Sequence, residues 1–388
     1  MSFNVAGDFQ RGKVFTVILK KGTFAAMAND IKNNNNRIII FGTGVVGSTV
    51  TPEIIKQYNL EDRVECCVDN DRTRRNTSIK MFNRDVKIYS PEILKKYSGN
   101  ITILITISRY ESAYKQVIEL EGAQEFSCYI IPAMCVENYH NEGNKGVIKT
   151  SKTPIIPKKI HYMWLGGGVI PLELEKCIES WRKYCPDYEI IRWDESNYDV
   201  HKNKFVSQAY DNQKYGFVPD YARIELLYEY GGIYLDTDVE LQRNIDELLY
   251  QEAFCSVEKW QVLNFGGCSG AVQGHKSLEP FLDSWRKREL IRYDGTVDSI
   301  SSGLIDTTVA LHYGYKINGL NQTVNGMNIY TYDYFHPYDY MSGKLEKTSD
   351  TFSIHQFHGG WLDNKACGEN RTAIKKYDEF TEKAVSVE

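Results

Sequence analysis

The sequence predicts an α/β protein of two successive domains, each built on a largely parallel sheet. Three observations carry this. The apolar run Arg37–Phe41 (RIIIF) leads directly into a glycine-rich turn, Gly42-Thr43-Gly44-Val45-Val46-Gly47. Strand-like and helix-like stretches then alternate to about residue 137, the pattern of a doubly wound sheet. A second alternation starts at Ile160, after a polar segment holding Gly143, Gly146, Pro154 and Pro157. The expected division is an N-terminal extension over 1–36, a first domain over 37–137, a linker over 138–157 and a second domain over 158–388.

Taken in order, the extension shows a short apolar run at Val14–Leu19, an alanine-rich stretch and the polar Asn33–Asn36. Arg37–Phe41 reads as a buried parallel strand because it is apolar without alternation. The glycine turn opens a helix that runs to about Tyr58, and Val64–Val68 is the next strand, ending at Asp69. Ile101–Ile107 and Cys128–Ile131 are further strands. A GxGxxG between strand and helix, with an acidic residue about 20 positions on, is the arrangement that holds a dinucleotide. Gly42, Gly44, Gly47 and Asp69 are therefore a candidate nucleotide turn. The alternative is that the glycines serve only close strand–helix packing. No Tyr-x-x-x-Lys pair of the kind used by short-chain dehydrogenases occurs in residues 1–150. This segment resembles the small Rossmann-like domains attached to enzymes of bacterial surface-polysaccharide synthesis, through its glycine turn, its Val68-Asp69-Asn70-Asp71 strand end and its Ser90-Pro91-Glu92 helix start.

Composition limits the function classes. With 42% hydrophobic and 25% charged residues the chain is an ordinary globular protein, and its net charge of -5 gives no pull toward nucleic acid. No apolar run approaches the ~20 residues of a membrane span. Asp8 and Arg11 interrupt the start, so no signal peptide is expected there. The nine cysteines are odd in number, scattered and contain no CxxC pair, so neither a disulfide framework nor a zinc site is indicated, and a reducing, cytoplasmic setting is expected.

The chemistry is expected in the second domain. Pro219 suits a helix first turn, and Asp220–Tyr230 reads as helix, with Asp220 and Arg223 on one face at i and i+3. Gly231 and Gly232 end it. Ile233–Leu235 reads as a short buried strand that delivers Asp236 and Asp238 at its C-terminal end. In an extended chain residues two apart point the same way, so both carboxylates face one cavity. Ligands of open α/β sheets bind at that end of the strands. Paired carboxylates hold Mn²⁺ or Mg²⁺, and such an ion stabilises a departing diphosphate. A bare DxD is weak by itself, and Asp220–Arg223 can equally be a local ion pair worth a few tenths of about 1 kcal/mol.

Tyr221–Asp238 (YARIELLYEYGGIYLDTD), preceded by Val218 and Asp220, resembles the signature of the DXD sugar-binding glycosyltransferase family, the family 32 type. That family includes fungal mannosyltransferases, the large clostridial glucosylating toxins and bacterial capsular-polysaccharide transferases; the capsular branch is the most similar in feel. Further similar blocks are Lys159–Gly167, Cys177–Trp181, Cys185–Glu189, Tyr334–Pro337 and His355–Trp361. The resemblance covers about residues 157–363. It implies a GT-A-type nucleotide-sugar-binding domain and a retaining hexosyltransferase that moves a sugar from a UDP-sugar to a saccharide or lipid-linked oligosaccharide acceptor in surface or capsular polysaccharide or glycan synthesis. It places Trp164 on the uracil ring, Asp220 and Arg223 on the donor sugar, Tyr234 at a donor contact, Asp236 on ribose and sugar, and Asp238 on the metal. His355 and Trp361 match the block that closes over the diphosphate. There the family's usual second histidine is Gln356 and His358 takes the place of a small residue, so His355 is the favoured metal ligand and His358 the other candidate. Asn264–Gly270 and Ser301–Thr308 fall where the family lines its cleft. The implied location is the cytoplasm, with peripheral attachment at the inner face of the membrane. Two other readings are an NAD(P)-dependent nucleotide-sugar oxidoreductase or epimerase using the glycine turn, and a non-catalytic nucleotide-sugar sensor.

Overall fold

The computed structural model describes residues 17–107, 110–120, 126–137, 146–259, 261–293, 295–298, 300–339, 344–358 and 384–387. The chain divides into two compact units, one formed by 1–140, 316–318 and 372–388, the other by 141–315 and 319–371. Among the described residues no helix is long and apolar enough to cross a membrane.

The first unit runs β1 (Ile18–Lys21), α1 (Phe24–Asn33), β2 (Arg37–Phe41), a π-helical turn at Val46–Val50 continued by α2 (Thr51–Gln57), β3 (Val64–Val68), β4 (Ser78–Met81), β5 (Arg84–Tyr89), β6 (Ile101–Ile105), α3 (Tyr110–Glu119), β7 (Ser127–Ile130) and α4 (Ile131–Glu137). The sheet order is β1-β7-β6-β2-β3-β5-β4, parallel except for β4. Ile38, Ile39 and Ile40 are fully buried in β2, each stabilising by roughly 1.5–3 kcal/mol on removal from water. The extension belongs to this fold. Its apolar run supplies β1 and its alanine-rich stretch is α1, capped by Thr23 Oγ1 accepting from Ala26 N–H at 3.0 Å and burying Phe24, Met27 and Ile31. Sequence patterning missed α1 because small alanines mark its buried face weakly.

The glycines of the turn have different surroundings. A β-carbon on Gly47 would lie 1.9 Å from the Gly42 carbonyl oxygen, and one on Gly42 2.3 Å from Ile107 Cγ2, whereas one on Gly44 would meet nothing within 4 Å among the described residues. Asp69 closes the turn on itself. Its Oδ2 accepts from Thr43 N–H at 2.7 Å and from the Thr43 hydroxyl, and its Oδ1 accepts from Asp71 N–H at 2.8 Å.

The second unit runs β8 (Lys159–Met163), α5 (Leu172–Tyr184), β9 (Glu189–Trp193), α6 (Lys204–Asp211), α7 (Val218–Tyr230), β10 (Gly232–Tyr234), β11 (Val239–Leu241), β12 (Ala253–Val257), β13 (Leu263–Asn264), β14 (Ser269–Ala271), α8 (Glu279–Arg286), α9 (Ser302–His312), β15 (Gln322–Val324), β16 (Met327–Tyr330), α10 (Tyr332–Phe335), β17 (Tyr338–Asp339), β18 (Lys344–Leu345) and β19 (Ser353–His355). Its mixed sheet has the order β15-β16-β12-β14-β10-β8-β9, with β10, β8 and β9 parallel and β14 antiparallel beside β10. A separate antiparallel ladder pairs β11 with β19, setting Val239 opposite His355. Trp181 of α5 fixes this ladder to the core by donating its indole N–H to the Val239 carbonyl at 2.7 Å. A last strand, β20 (Val385–Ser386), pairs in parallel with β1, so the chain end joins the first sheet rather than the second unit.

Candidate active site

Helix α7 begins two residues earlier than its sequence pattern indicates, at Val218, and stops where Gly231 adopts φ +65° and donates its N–H to the Leu227 carbonyl at 3.0 Å. The junction into β10 is held by His161 of β8. Its Nε2–H donates to the Gly231 carbonyl at 2.8 Å, while its Nδ1 accepts from the Trp193 indole at 3.1 Å. Burial holds this imidazole below its usual value, in keeping with the neutral tautomer those two bonds require.

The strand ends one residue before the position the sequence implies, at Tyr234, and the DxD is not extended. Residues Asp236 to Val239 form a turn, closed by Val239 N–H donating to the Asp236 carbonyl at 3.1 Å. Two-residue alternation is thus not what brings the carboxylates together. The turn does so, aided by Asp236 N–H donating to the Gly266 carbonyl at 2.8 Å and by the β11–β19 ladder, which carries His355 to the same edge. Ligand atoms of Asp236, Asp238 and His355 lie within 4.8 Å of one another. Two carboxylate oxygens and one imidazole nitrogen form a donor set that suits a hard divalent cation.

His355 is buried, with Nε2 at 3.2 Å from Asp238 Oδ1. Its Nδ1 is buried without a hydrogen-bond partner among the described residues. His358 stands outside that group. Its Nδ1 is 3.9 Å from Asp238 Oδ2 and its side chain is exposed, although its backbone N–H donates to the same oxygen at 3.0 Å. Burial alone would raise the Asp238 carboxyl, yet the adjacent His355 and the His358 N–H hold it well below the usual carboxylate range. Reciprocally, Asp238 raises His355 against the effect of burial. The ring of His355 stacks on Phe357 at 4.0 Å.

On the α7 side, Arg223 Nη2 donates to Asp220 Oδ1 at 2.9 Å and stands 3.6 Å from Asp236 Oδ2, so one guanidinium links both carboxylates. Its Nε donates to the Pro219 carbonyl at 3.0 Å. Burial raises Asp220 to about 6, against the pull of Arg223 and a hydrogen bond from Ser302. Tyr234 is 1% exposed, its ring 6.0 Å from the guanidinium carbon of Arg223, so it supports the cluster from within and does not face the open edge. Trp164 follows β8 at the same edge of the sheet, is partly exposed, and donates its indole N–H to the Gly168 carbonyl at 2.7 Å. Trp361 lies outside the described residues.

Three features lie in stretches that the resemblance singled out without giving their residues a role. Gly266 rests on Asp236, Gly267 packs so near His336 that a β-carbon would lie 2.0 Å from its Cε1, and Asn264 Oδ1 accepts both glycine N–H groups at 2.8 and 3.0 Å. His336 Nε2 pairs with Ser256 Oγ at 2.9 Å, and burial with the neighbouring His355 keeps its imidazole well below the usual value. The glycine pair was the readable signal, since paired glycines after a strand imply close approach.

Residues 171–255 match the family model of the glycosyltransferase sugar-binding region containing DXD motif. The match takes in Asp220, Arg223, Tyr234, Asp236 and Asp238 and leaves Trp164 and His355 outside it. The chain is also similar to inositol phosphoceramide mannosyltransferase 3 of Schizosaccharomyces pombe, 34% identical over 140 residues, 35% of this chain and 37% of that protein. Mannosyl phosphorylinositol ceramide synthase of Saccharomyces cerevisiae is 33% identical over 141 residues, 34% of each. An uncharacterized glycosyltransferase of Acanthamoeba polyphaga mimivirus is 25% identical over 224 residues, 55% of this chain and 87% of its own. The matched stretch is thus about a third of the length of the two fungal proteins. Among solved structures, PaToxG glycosyltransferase aligns with a TM-score of 0.31 and 14% identity over 53% of this chain and 78% of that one.

Proposed function

We propose that this chain is a metal-dependent, retaining glycosyltransferase that moves a sugar from a UDP-sugar to a saccharide or lipid-linked acceptor. One observation carries the reading: Asp236, Asp238 and His355 converge beside the Asp220–Arg223 pair, just after the C-terminal end of β10 in the parallel part of the mixed sheet, largely within the segment similar to glycosyltransferases. Asp236, Asp238 and His355 would hold Mn²⁺ or Mg²⁺, which supplies Lewis-acid stabilisation of a leaving diphosphate. Asp220 and Arg223 grip sugar hydroxyls, the carboxylate accepting and the guanidinium donating. Trp164 offers a flat face for the base.

Each carboxylate at this edge already has a partner: Asp220 and Asp236 have Arg223, and Asp238 has His355. That arrangement supports front-face substitution, with the leaving diphosphate accepting the acceptor's proton, over attack by a side-chain nucleophile. The relatives' names support a hexose as the transferred group and a lipid-linked acceptor. A peripheral site at the cytoplasmic face of the membrane and a role in surface or capsular polysaccharide synthesis follow from the same reading. The first unit we take as a Rossmann-like docking or scaffolding domain, because Asp69 serves to close the glycine turn through Thr43 and no Tyr-x-x-x-Lys pair accompanies it in residues 1–150.

Release of nucleotide from UDP-glucose, UDP-galactose and GDP-mannose, with Mn²⁺ and with EDTA, tests the function. Metal-dependent release from a nucleotide-sugar supports it. Absence of release from all of them, in a protein that also fails to bind UDP with Mn²⁺, would sink it.

A further inference from the structure

Helix α9 touches both halves of the sugar-side cluster. Ser302 hydrogen-bonds Asp220, and Asp306, one turn further along, lies on the same helix face. Thr307 Oγ1 accepts from Leu263 N–H at 2.8 Å, and a β-carbon on Gly303 would stand 2.7 Å from the Leu263 carbonyl oxygen. Leu263 leads directly into the Asn264–Gly267 turn on which Asp236 rests. A single helix therefore braces Asp220 and the support of Asp236 together.

Asp306 is 2% exposed, and its Oδ1 accepts the Trp285 indole N–H at 2.8 Å. The ionisable groups that face it are Arg223 and Asp220 from α7, Arg288 after α8 and Cys255 from β12. On α9 itself the other titratable residue, His312, closes the far end. Arg223 in turn interacts with three carboxylates, Asp236, Asp220 and Asp306. Asp306 is the one of the three that is fully buried, Asp220 and Asp236 keep Arg223 as their ion-pair partner, and Arg288 is paired with Asp298, so a charge on Asp306 would be the least compensated of the three.

We propose that Asp306 is a positioning residue of this site: it keeps its proton, and so leaves Arg223 committed to Asp220 and Asp236. The proposal rests on the sugar-transfer reading above for its effect on turnover, not for the protonation state. Burial raises Asp306 to about 8, against the Trp285 N–H and Arg223, whereas Asp220 is raised only to about 6. At neutral pH the proton thus sits mainly on Asp306. Its ionisation would draw the guanidinium away from Asp236.

The test compares the full chain with Asp306→Asn. The first measurement needs no donor: thermal midpoints from pH 5 to pH 9. The folded value lies above the unfolded carboxyl value near ~4, so the wild-type fold loses stability as pH rises through this window and levels off above about 8. Asparagine does not titrate, so the midpoint difference, mutant minus wild type, should grow with pH and flatten above about 8. A difference constant across pH overturns the proposal. The second follows nucleotide release from UDP-glucose and GDP-mannose with Mg²⁺. The ratio of kcat/KM at pH 9 to that at pH 7 should be about tenfold higher in Asp306→Asn than in wild type, the effect of one ionisation a unit above its midpoint. An equal alkaline fall in both proteins overturns the proposal. Trp285→Phe removes the N–H that holds Asp306 down and should move the alkaline limb upward; an unmoved limb counts against the proposal too. A wild type that releases nucleotide from neither donor would speak against the proposed function instead, and the thermal profile would still decide the state of Asp306.

Discussion

Gly266 lies so close to Asp236 that a β-carbon placed on it would stand 1.9 Å from Asp236 Oδ2 and 2.9 Å from Arg223 Nη1. The carboxylate and the guanidinium thus meet over a backbone that only glycine provides. Gly266→Ala should fold, because its φ is ordinary, but it should push the Asp236 carboxylate off its position. We expect nucleotide release to fall by about 10- to 100-fold, as for groups that only orient metal ligands. Unchanged release would separate Asp236 from the chemistry.

Removal of a ligand itself should cost more. Asp238→Asn should lose more than ~100-fold in release while keeping the thermal midpoint within a few degrees, and EDTA should silence the wild type until Mn²⁺ or Mg²⁺ is restored. Full activity in EDTA would end the metal assignment. His358→Ala, by contrast, should be milder than His355→Ala, because the part of residue 358 that reaches Asp238 closely is its backbone N–H.

Trp164 is partly exposed at the sheet edge and makes its polar contact with the nearby Gly168 carbonyl. Trp164→Ala should weaken UDP binding in the presence of Mn²⁺ by about 1–3 kcal/mol, the usual contribution of base stacking. Calorimetry measures it, and an affinity equal to wild type would assign the base to another surface.

The pH response of Asp220 has a definite sign. Its folded value of about 6 lies above the unfolded one, so the folded state retains a proton over roughly pH 4–6 that the unfolded chain has released. Stability should therefore fall as pH rises through that window, while donor binding strengthens as the carboxylate forms. Asp220→Asn should flatten the stability change, which thermal midpoints at pH 4.5 and 7 can check. A slope identical to wild type would place the titration elsewhere.

In the first unit, Gly44 is open and Gly47 is not. Gly44→Val should fold and retain nucleotide release, whereas Gly47→Ala should destabilise the first sheet because its new atom meets the Gly42 carbonyl. Loss of release in a well-folded Gly44→Val protein would give this turn a part in the reaction.

Much of the site was legible because its residues sit close together in the chain. Asp220, Arg223, Asp236 and Asp238 lie on one helix–strand–turn unit whose apolar pattern and glycine stop are local. His355 was placed by resemblance, and its partnership with Asp238 depends on the pairing of β11 with β19, a contact no local pattern encodes. The geometry of the DxD was misread for a similar reason. The chain turns after Tyr234 because the Asp236 N–H is taken by the distant Gly266 carbonyl. Asp306 and His336 lay inside stretches that the resemblance singled out, Ser301–Thr308 and Tyr334–Pro337, but neither was given a role, since a lone buried carboxyl or imidazole looks like any other until its neighbours are known. In the first unit the apolar strands were plain, but α1 and the role of Asp69 were not. The spacing that marks Asp69 for a ribose serves equally well to close the turn through Thr43.

The pairing of Val385 with Lys20 makes the first sheet the place where both described ends of the chain meet. On a ribosome, that sheet cannot acquire this outer strand until residue 386 has emerged. The second unit, whose segments precede residue 372, can be complete earlier. Synthesis order and folding order are thus partly reversed between the two units: the one that holds β1 receives β20 after the segments of the other have been made. A cut after residue 371 would take β20 from the first sheet and leave the segments of the second unit in place.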